Sequence, residues 1–225
     1  MNLPFTASQF LAVFAQYNHA IWPAQIVAYG LGLLAVGLAY RPSRRASQLI
    51  SAILAGFWLW MGLIYHLGFF REINPAAILF GGLFVVQGLV WLWVGVVQAH
   101  MSFRAEWDGC SVVGGLFILY AMLMYPVIGM LLGHGYPQAP IFGVAPCPTT
   151  IFTFGLLLWT RSPVPKFVLV IPLLWSLIGA MAAVTLGIQE DIGLLIAGVV
   201  GTALLVRGDG FPIRPGHWPG RPAAA

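Results

Sequence analysis

Few side chains in this sequence have chemical capacity: His66, Asn74, His134, Tyr136, Cys147, Thr149, Thr150, Glu190 and Asp191 stand out against a chain that is 60% hydrophobic. Imidazole, thiolate and carboxylate are the donors of a zinc site with an open position, which makes His66, His134, Cys147 and Asp191 metal candidates. Their spacing is poor for that chemistry. No HExxH or HxxxH pair occurs, and each of the four sits on a different stretch of chain. Without a metal, the same groups suit a polar vestibule that opens on one side and receives a small polar or anionic ligand. A lone helix histidine such as His66 also has a plain alternative as a satisfied core residue.

The stretch from His134 to Thr150 holds four prolines before Thr149, namely Pro137, Pro140, Pro146 and Pro148, and no charged residue at all. The helix expected after it, 149–160, reaches only about 18 Å at 1.5 Å per residue, against a hydrocarbon core of about 30 Å. Irregular backbone at membrane depth is tolerated where it is buried in protein or lines a polar cavity. The segment is therefore expected to re-enter the membrane region, with the helix beginning below the surface. A helix start offers free N–H groups and the positive end of a dipole, so Thr149 and Thr150 there could cap the helix or hold a polar or anionic group. Asn74, before Pro75, reads as a helix cap. Gln189-Glu190-Asp191 does the same for the last apolar stretch, and its adjacent carboxylates could also attract a cation.

These groups must be held by membrane helices. Charged residues make up only 7% of the 225 residues, far below the roughly 25% of soluble domains. Ten basic residues scattered along the chain make no phosphate-tracking patch, which excludes a nucleic-acid binder. Seven apolar stretches appear, at 21–40, 48–70, 76–98, 111–133, 149–160, 167–188 and 192–206, and predict an all-α bundle of seven transmembrane helices. Nine of the ten Lys and Arg residues fall in one set of alternate loops and only Arg71 in the other. By the positive-inside rule the N-terminus lies outside and the C-terminus in the cytoplasm, so the chemical residues gather at the outer face. No Asp, Glu, Lys or Arg stands at mid-span, which argues against a carboxylate relay through the bundle. The last stretch also has no lysine for a retinal Schiff base.

Residues 1–206 thus form one transmembrane unit. Its first 18 residues are an amphipathic outer segment opened by a Thr6-x-x-Gln9 capping box, and 207–225, rich in Gly, Pro and Arg, are a disordered cytoplasmic tail. Cys110 and Cys147 fall at opposite faces, too far apart for a disulfide.

Tyr17-Asn18 with Trp22-Pro23, Tyr65-His66 followed by Asn74-Pro75, the block from Gly133-His134 through Cys147-Pro148-Thr149-Thr150 to Gly155, and Ile171-Pro172 with Glu190-Asp191 together resemble an uncharacterised family of bacterial integral membrane proteins. The resemblance spans nearly the whole chain. It implies a multi-pass protein of the bacterial inner (cytoplasmic) membrane, surrounded by the lipid bilayer, and brings no mechanism or cofactor. The function expected is a small-solute transporter or permease-like protein with an outward-facing vestibule, rather than an enzyme. The alternatives are a membrane-embedded, zinc-dependent enzyme acting on a lipid or amphiphile, and a structural or sensory membrane partner.

Overall fold

The computed structural model describes residues 4–208. Thr6 opens helix α1 (Ala7–Ala20) with the expected reciprocal capping box: its hydroxyl accepts from the Gln9 N–H, and the Gln9 side chain accepts from the Thr6 N–H. Val13, Phe14, Tyr17 and Asn18 form its buried face. The chain then bends by 87° into α2 (Ala24–Ala39). Gln25, Ala28, Gly32, Ala35 and Ala39 are buried there, stepping by three or four residues, so a stripe of small side chains meets the bundle.

Helix α3 (Arg44–Trp60), capped by Ser43, runs on through a wider π-helical stretch, Met61–Phe69, and a short 3-10 turn to Glu72, giving one rod of 29 residues. Helix α4 (Ala77–Trp91) likewise continues as a π stretch, Leu92–Val97. Helix α5 (Gly109–Leu119) passes through a third π stretch, Tyr120–Met124, into α6 (Tyr125–Leu131). Helix α7 (Pro146–Leu157) is short, α8 (Phe167–Leu186) spans 20 residues, and a 3-10 turn, Gln189–Asp191, leads into α9 (Ile192–Gly208). Among the described residues the chain is all-α, with one isolated antiparallel bridge between Phe103 and Thr160.

By length and composition five of these rods can cross a membrane, and the bent pair α1 and α2 makes at most a sixth. The expected fifth crossing at 149–160 differs. Its helix begins three residues earlier, at Pro146, because proline is well tolerated in a first turn. It has twelve residues, all of them buried. The chain nevertheless travels the length of the bundle. His134 follows the end of α6, while Trp159 and Arg161 exchange backbone hydrogen bonds with Arg104 and Ser102, just before the start of α5. The passage antiparallel to α5 and α6 is therefore irregular in its first half and helical in its second. Every residue from Phe142 to Trp159 is buried.

The irregular half is held by side chains from α1. Asn18 Nδ2 donates to the Pro137 and Ala139 carbonyls at 2.7 and 2.8 Å, and Tyr17 donates to the Val144 carbonyl at 2.8 Å while accepting from Trp60 at 2.7 Å. Thr149 closes the bend, accepting from the Gly143 N–H and donating to the Ala145 carbonyl. Gly143 has φ of +79° and leaves no room for a Cβ, which would stand 2.6 Å from that of Ala28. At the far end, Arg161 ties the passage to α5 through Asp108, at 2.7 Å, and Ser111, with the Glu106 carboxylate 3.5 Å away. Burial pushes the Asp108 carboxyl up, but the Ser111 N–H and the Arg161 guanidinium outweigh it and hold it below its usual range. The glycine pair Gly114 and Gly155 lets α5 and α7 meet backbone to backbone: a Cβ on either would stand within 2.8 Å of the other's carbonyl oxygen.

Proline inside α8 creates one further demand. Pro172 has no N–H for the carbonyl of Val168, four residues back. Buried Gln87 of α4 supplies the missing donor, its Nε2 lying 3.1 Å from the Val168 oxygen. Replacing Gln87 by Leu should orphan that carbonyl and cost about 1–3 kcal/mol of stability. In a Pro172→Ala background, where the backbone bond is restored, the same replacement should cost much less. Thermal unfolding of the four proteins in detergent measures this coupling, and equal losses in both backgrounds would remove the pairing from the account.

Candidate functional site

At the end of the bundle where α6 stops and α9 begins, the fold brings together two buried acid pairs. His134, in the turn after α6, donates through Nε2 to Glu190 Oε1 at 2.7 Å. Tyr125, at the start of α6, donates to Asp191 Oδ1 at 2.5 Å. Tyr120 adds a bond of 2.7 Å to the Glu190 backbone carbonyl. Glu190 and Asp191 are 1% and 4% exposed, so neither carboxylate can rely on bulk water.

The π stretch before α6 makes these contacts possible. In a regular α-helix residues five apart diverge by about 140° around the axis. The extra residue of the π turn at Tyr120–Met124 brings Tyr120 and Tyr125 onto one face, with ring centres 6.4 Å apart. Both hydroxyls then reach the turn that opens α9. A charged side chain in a helix-opening turn ordinarily serves its own N–H groups. Here Glu190 and Asp191 each give one oxygen to a tertiary partner and neither caps the turn, which corrects the capping reading.

Cys147, at the start of α7, is buried beside the Asp191 carboxylate and near the Trp175 indole. The start of α7 therefore faces a carboxylate supplied by the chain itself, and two of its first three residues are prolines with no N–H. Both facts oppose the capture of an anion there.

The remaining expected site residues divide into three groups. His66, fully buried in the π stretch of α3, donates from Nδ1 to the Met61 carbonyl at 2.9 Å and packs against Trp175 with ring centres 5.2 Å apart. Thr149 serves the Gly143 bend, Asn74 accepts from the Ala76 N–H at 3.1 Å, and buried Thr150 has a hydroxyl with no hydrogen-bond partner. Tyr136 departs from expectation: it is 54% exposed and approaches His19, away from the acid pairs. Among the described residues, no group of three His, Cys, Asp or Glu side chains could hold a metal ion. The zinc set of His66, His134, Cys147 and Asp191 does not assemble, because His134 is bonded to Glu190 and His66 is turned toward Met61 and Trp175.

Sequence reasoning missed Tyr120, Tyr125 and Trp175. Tyrosine and tryptophan in apolar stretches read as interfacial belt residues. The available signal was the five-residue spacing of the two tyrosines, directly before Pro126.

An all-α bundle with several helices apolar and long enough to span a membrane, closed at one end over paired acidic groups, is the class of protein that this fold and site define. Residues 7–211 match the model of a family of unknown function, DUF6064, and the chain belongs to that family. No curated protein and no solved structure matches it.

The geometry implies that Tyr125 and Asp191 act as one unit. Tyr125→Phe leaves the buried Asp191 carboxyl short of a donor, and should lower stability in detergent by about 1–3 kcal/mol. Asp191→Asn should cost a similar amount, and the double variant little more than either alone. Strict additivity of the two losses would show that the bond carries no energy.

Proposed function

We propose that this protein is a permease-like protein of the bacterial cytoplasmic membrane, which receives a small polar or cationic solute at the cluster of His134, Glu190, Asp191 and Tyr125. The observation that carries the reading is Glu190: Oε1 is bonded to His134, while Oε2 is buried with no hydrogen-bond partner. A buried carboxylate oxygen without a donor is costly, and ionisable groups facing the inside of membrane bundles mark solute and ion pathways. A solute that brings an N–H, an O–H or a positive charge to Oε2 satisfies it. The distribution of basic loops supports an outward-facing position for this end of the bundle and a cytoplasmic C-terminus. The tail expected at 207–225 lies outside the described residues beyond Gly208.

The choice of a cation or neutral donor over an anion follows from the carboxylates. Glu190 and Asp191 are consecutive, and only one imidazole, His134, is bonded to them. An anion would meet both acids at close range in a medium of low dielectric.

Purified protein should be screened by thermal unfolding against ammonium, methylammonium, guanidinium, urea and glycine. At a hundredfold excess over Kd a bound solute adds about 2.7 kcal/mol. The stabilising solute should then enter proteoliposomes faster than empty liposomes, and Glu190→Gln should abolish both effects. Flux equal to that of empty liposomes for every solute, with no stabilisation, would contradict the reading.

A further inference from the structure

At the opposite end of the bundle from the acid cluster, Arg41, Arg44 and Arg45 stand within five residues of chain, and all three are exposed. One loop holds the helix ends that carry them. The Ala105 N–H donates to the Ala39 carbonyl at 3.1 Å, and the Phe103 N–H donates to the Ser47 hydroxyl at 3.1 Å. The end of α2 and the start of α3 are thereby tied together, and Cα steps of about 3.8 Å keep the three arginines in one neighbourhood. The acids at this end are taken by other arginines. Glu106 lies 2.9 Å from Arg104 and 3.5 Å from Arg161, and Asp108 lies 2.7 Å from Arg161. Among the described residues, Arg41, Arg44 and Arg45 have no ion-pair partner.

Beside this charge runs an open apolar face. Arg45, Leu49, Ala52 and Gly56 follow one another at steps of four, three and four residues, which places them on one side of α3. Helix α4 packs on the adjoining side, where a Cβ on Gly88 would stand 2.6 Å from Leu59 and 3.2 Å from the Ala55 carbonyl. The Arg45 side is left uncovered: Leu49 is 52% exposed, and a Cβ on Gly56 would meet nothing within 4 Å. Because Ala52 and Gly56 are small, this face is a shallow furrow leading away from Leu49. From Arg45 to Gly56 it runs about 16 Å at 1.5 Å per residue, about half of a hydrocarbon core of about 30 Å. Guanidinium groups pair with phosphate, and the furrow takes a hydrocarbon chain one leaflet deep. From this arrangement we infer that Arg41, Arg44, Arg45 and the furrow bind one anionic phospholipid, its phosphate on the arginines and an acyl chain along Leu49, Ala52 and Gly56. A free anion would match the charge and leave the furrow bare. The site shares no residue with the acid cluster and stands whether or not that cluster carries a solute.

The test is native mass spectrometry of the full chain in a nonionic detergent, with phosphatidylglycerol and phosphatidylcholine of identical acyl chains as the probes. The protein should retain one phosphatidylglycerol and release phosphatidylcholine. A basic residue near the membrane surface adds about fivefold to the attraction of an anionic lipid, so Arg44→Gln with Arg45→Gln should weaken that retention about twentyfold. Gly56→Leu fills the furrow without touching any charge, and should also reduce retention of phosphatidylglycerol while thermal unfolding in lipid-free detergent shows the protein still folded. It serves alone if the arginine variant does not insert. Arg71→Gln, at the other end of the bundle, should change nothing, and inorganic phosphate at the lipid's concentration should displace nothing. Equal retention of the two lipids would overturn the site. So would a preference that survives either the arginine variant or Gly56→Leu, one lost equally in Arg71→Gln, or displacement by phosphate.

Discussion

The structure depends on burying a stretch of chain on every side. From Phe142 to Trp159 no residue is exposed, although the first part of that stretch is not helical and its carbonyls cannot all be satisfied by their own segment. A backbone polar group left without a partner in an apolar surround costs several kcal/mol, so the passage must be enclosed and its hydrogen bonds supplied from outside. The rest of the bundle meets that demand. Helix α1 lies across one end and contributes Tyr17 and Asn18, α2 offers a stripe of small residues, and α5 approaches through Gly114 until backbones touch. The short α7 is possible only because these neighbours stand in for the missing helical turns.

The acid cluster follows from the same arrangement. Because α7 starts inside the bundle, the space above it is closed by the turn after α6 and by the turn opening α9, and Glu190 and Asp191 are carried into that space. Isolated, two adjacent carboxylates would not remain buried. His134 and Tyr125 each bind one of them, and the π turn that aligns Tyr120 with Tyr125 gives α6 its reach. His66 also lies in a π stretch, its ring bonded to the carbonyl five residues back. Wider turns of this kind are frequent where helices position functional groups.

Much of this was legible in the sequence, and the reasons for the gaps are physical. The apolar runs gave the long helices, the Thr6 and Gln9 spacing gave the cap of α1, and the shortage of residues in 149–160 showed that a helix there could not cross alone. Convergence was legible only in part. Glu190, Asp191, His134 and Cys147 share one end of their segments and do meet. Tyr136 shares that end and does not, because height along a bundle says nothing about direction around it. Capping was expected of Glu190 and Asp191 because local rules see only neighbours in sequence, whereas their partners are 56 and 66 residues away. The π stretches left no trace in composition or period, and they set which tyrosines point inward.

The most direct measurement concerns the enclosed passage. Backbone amide signals of 147–157 can be followed in nanodiscs while a doxyl-labelled lipid relaxes whatever faces the acyl chains and a soluble gadolinium chelate relaxes whatever faces water. Amides of α7 should be affected by neither agent, while those of Ile26 and Leu33, whose side chains point away from the bundle, broaden with the doxyl lipid. Broadening of α7 by doxyl lipid to the extent seen for α2 would place the short helix on the bundle surface, and the account would fail at its centre.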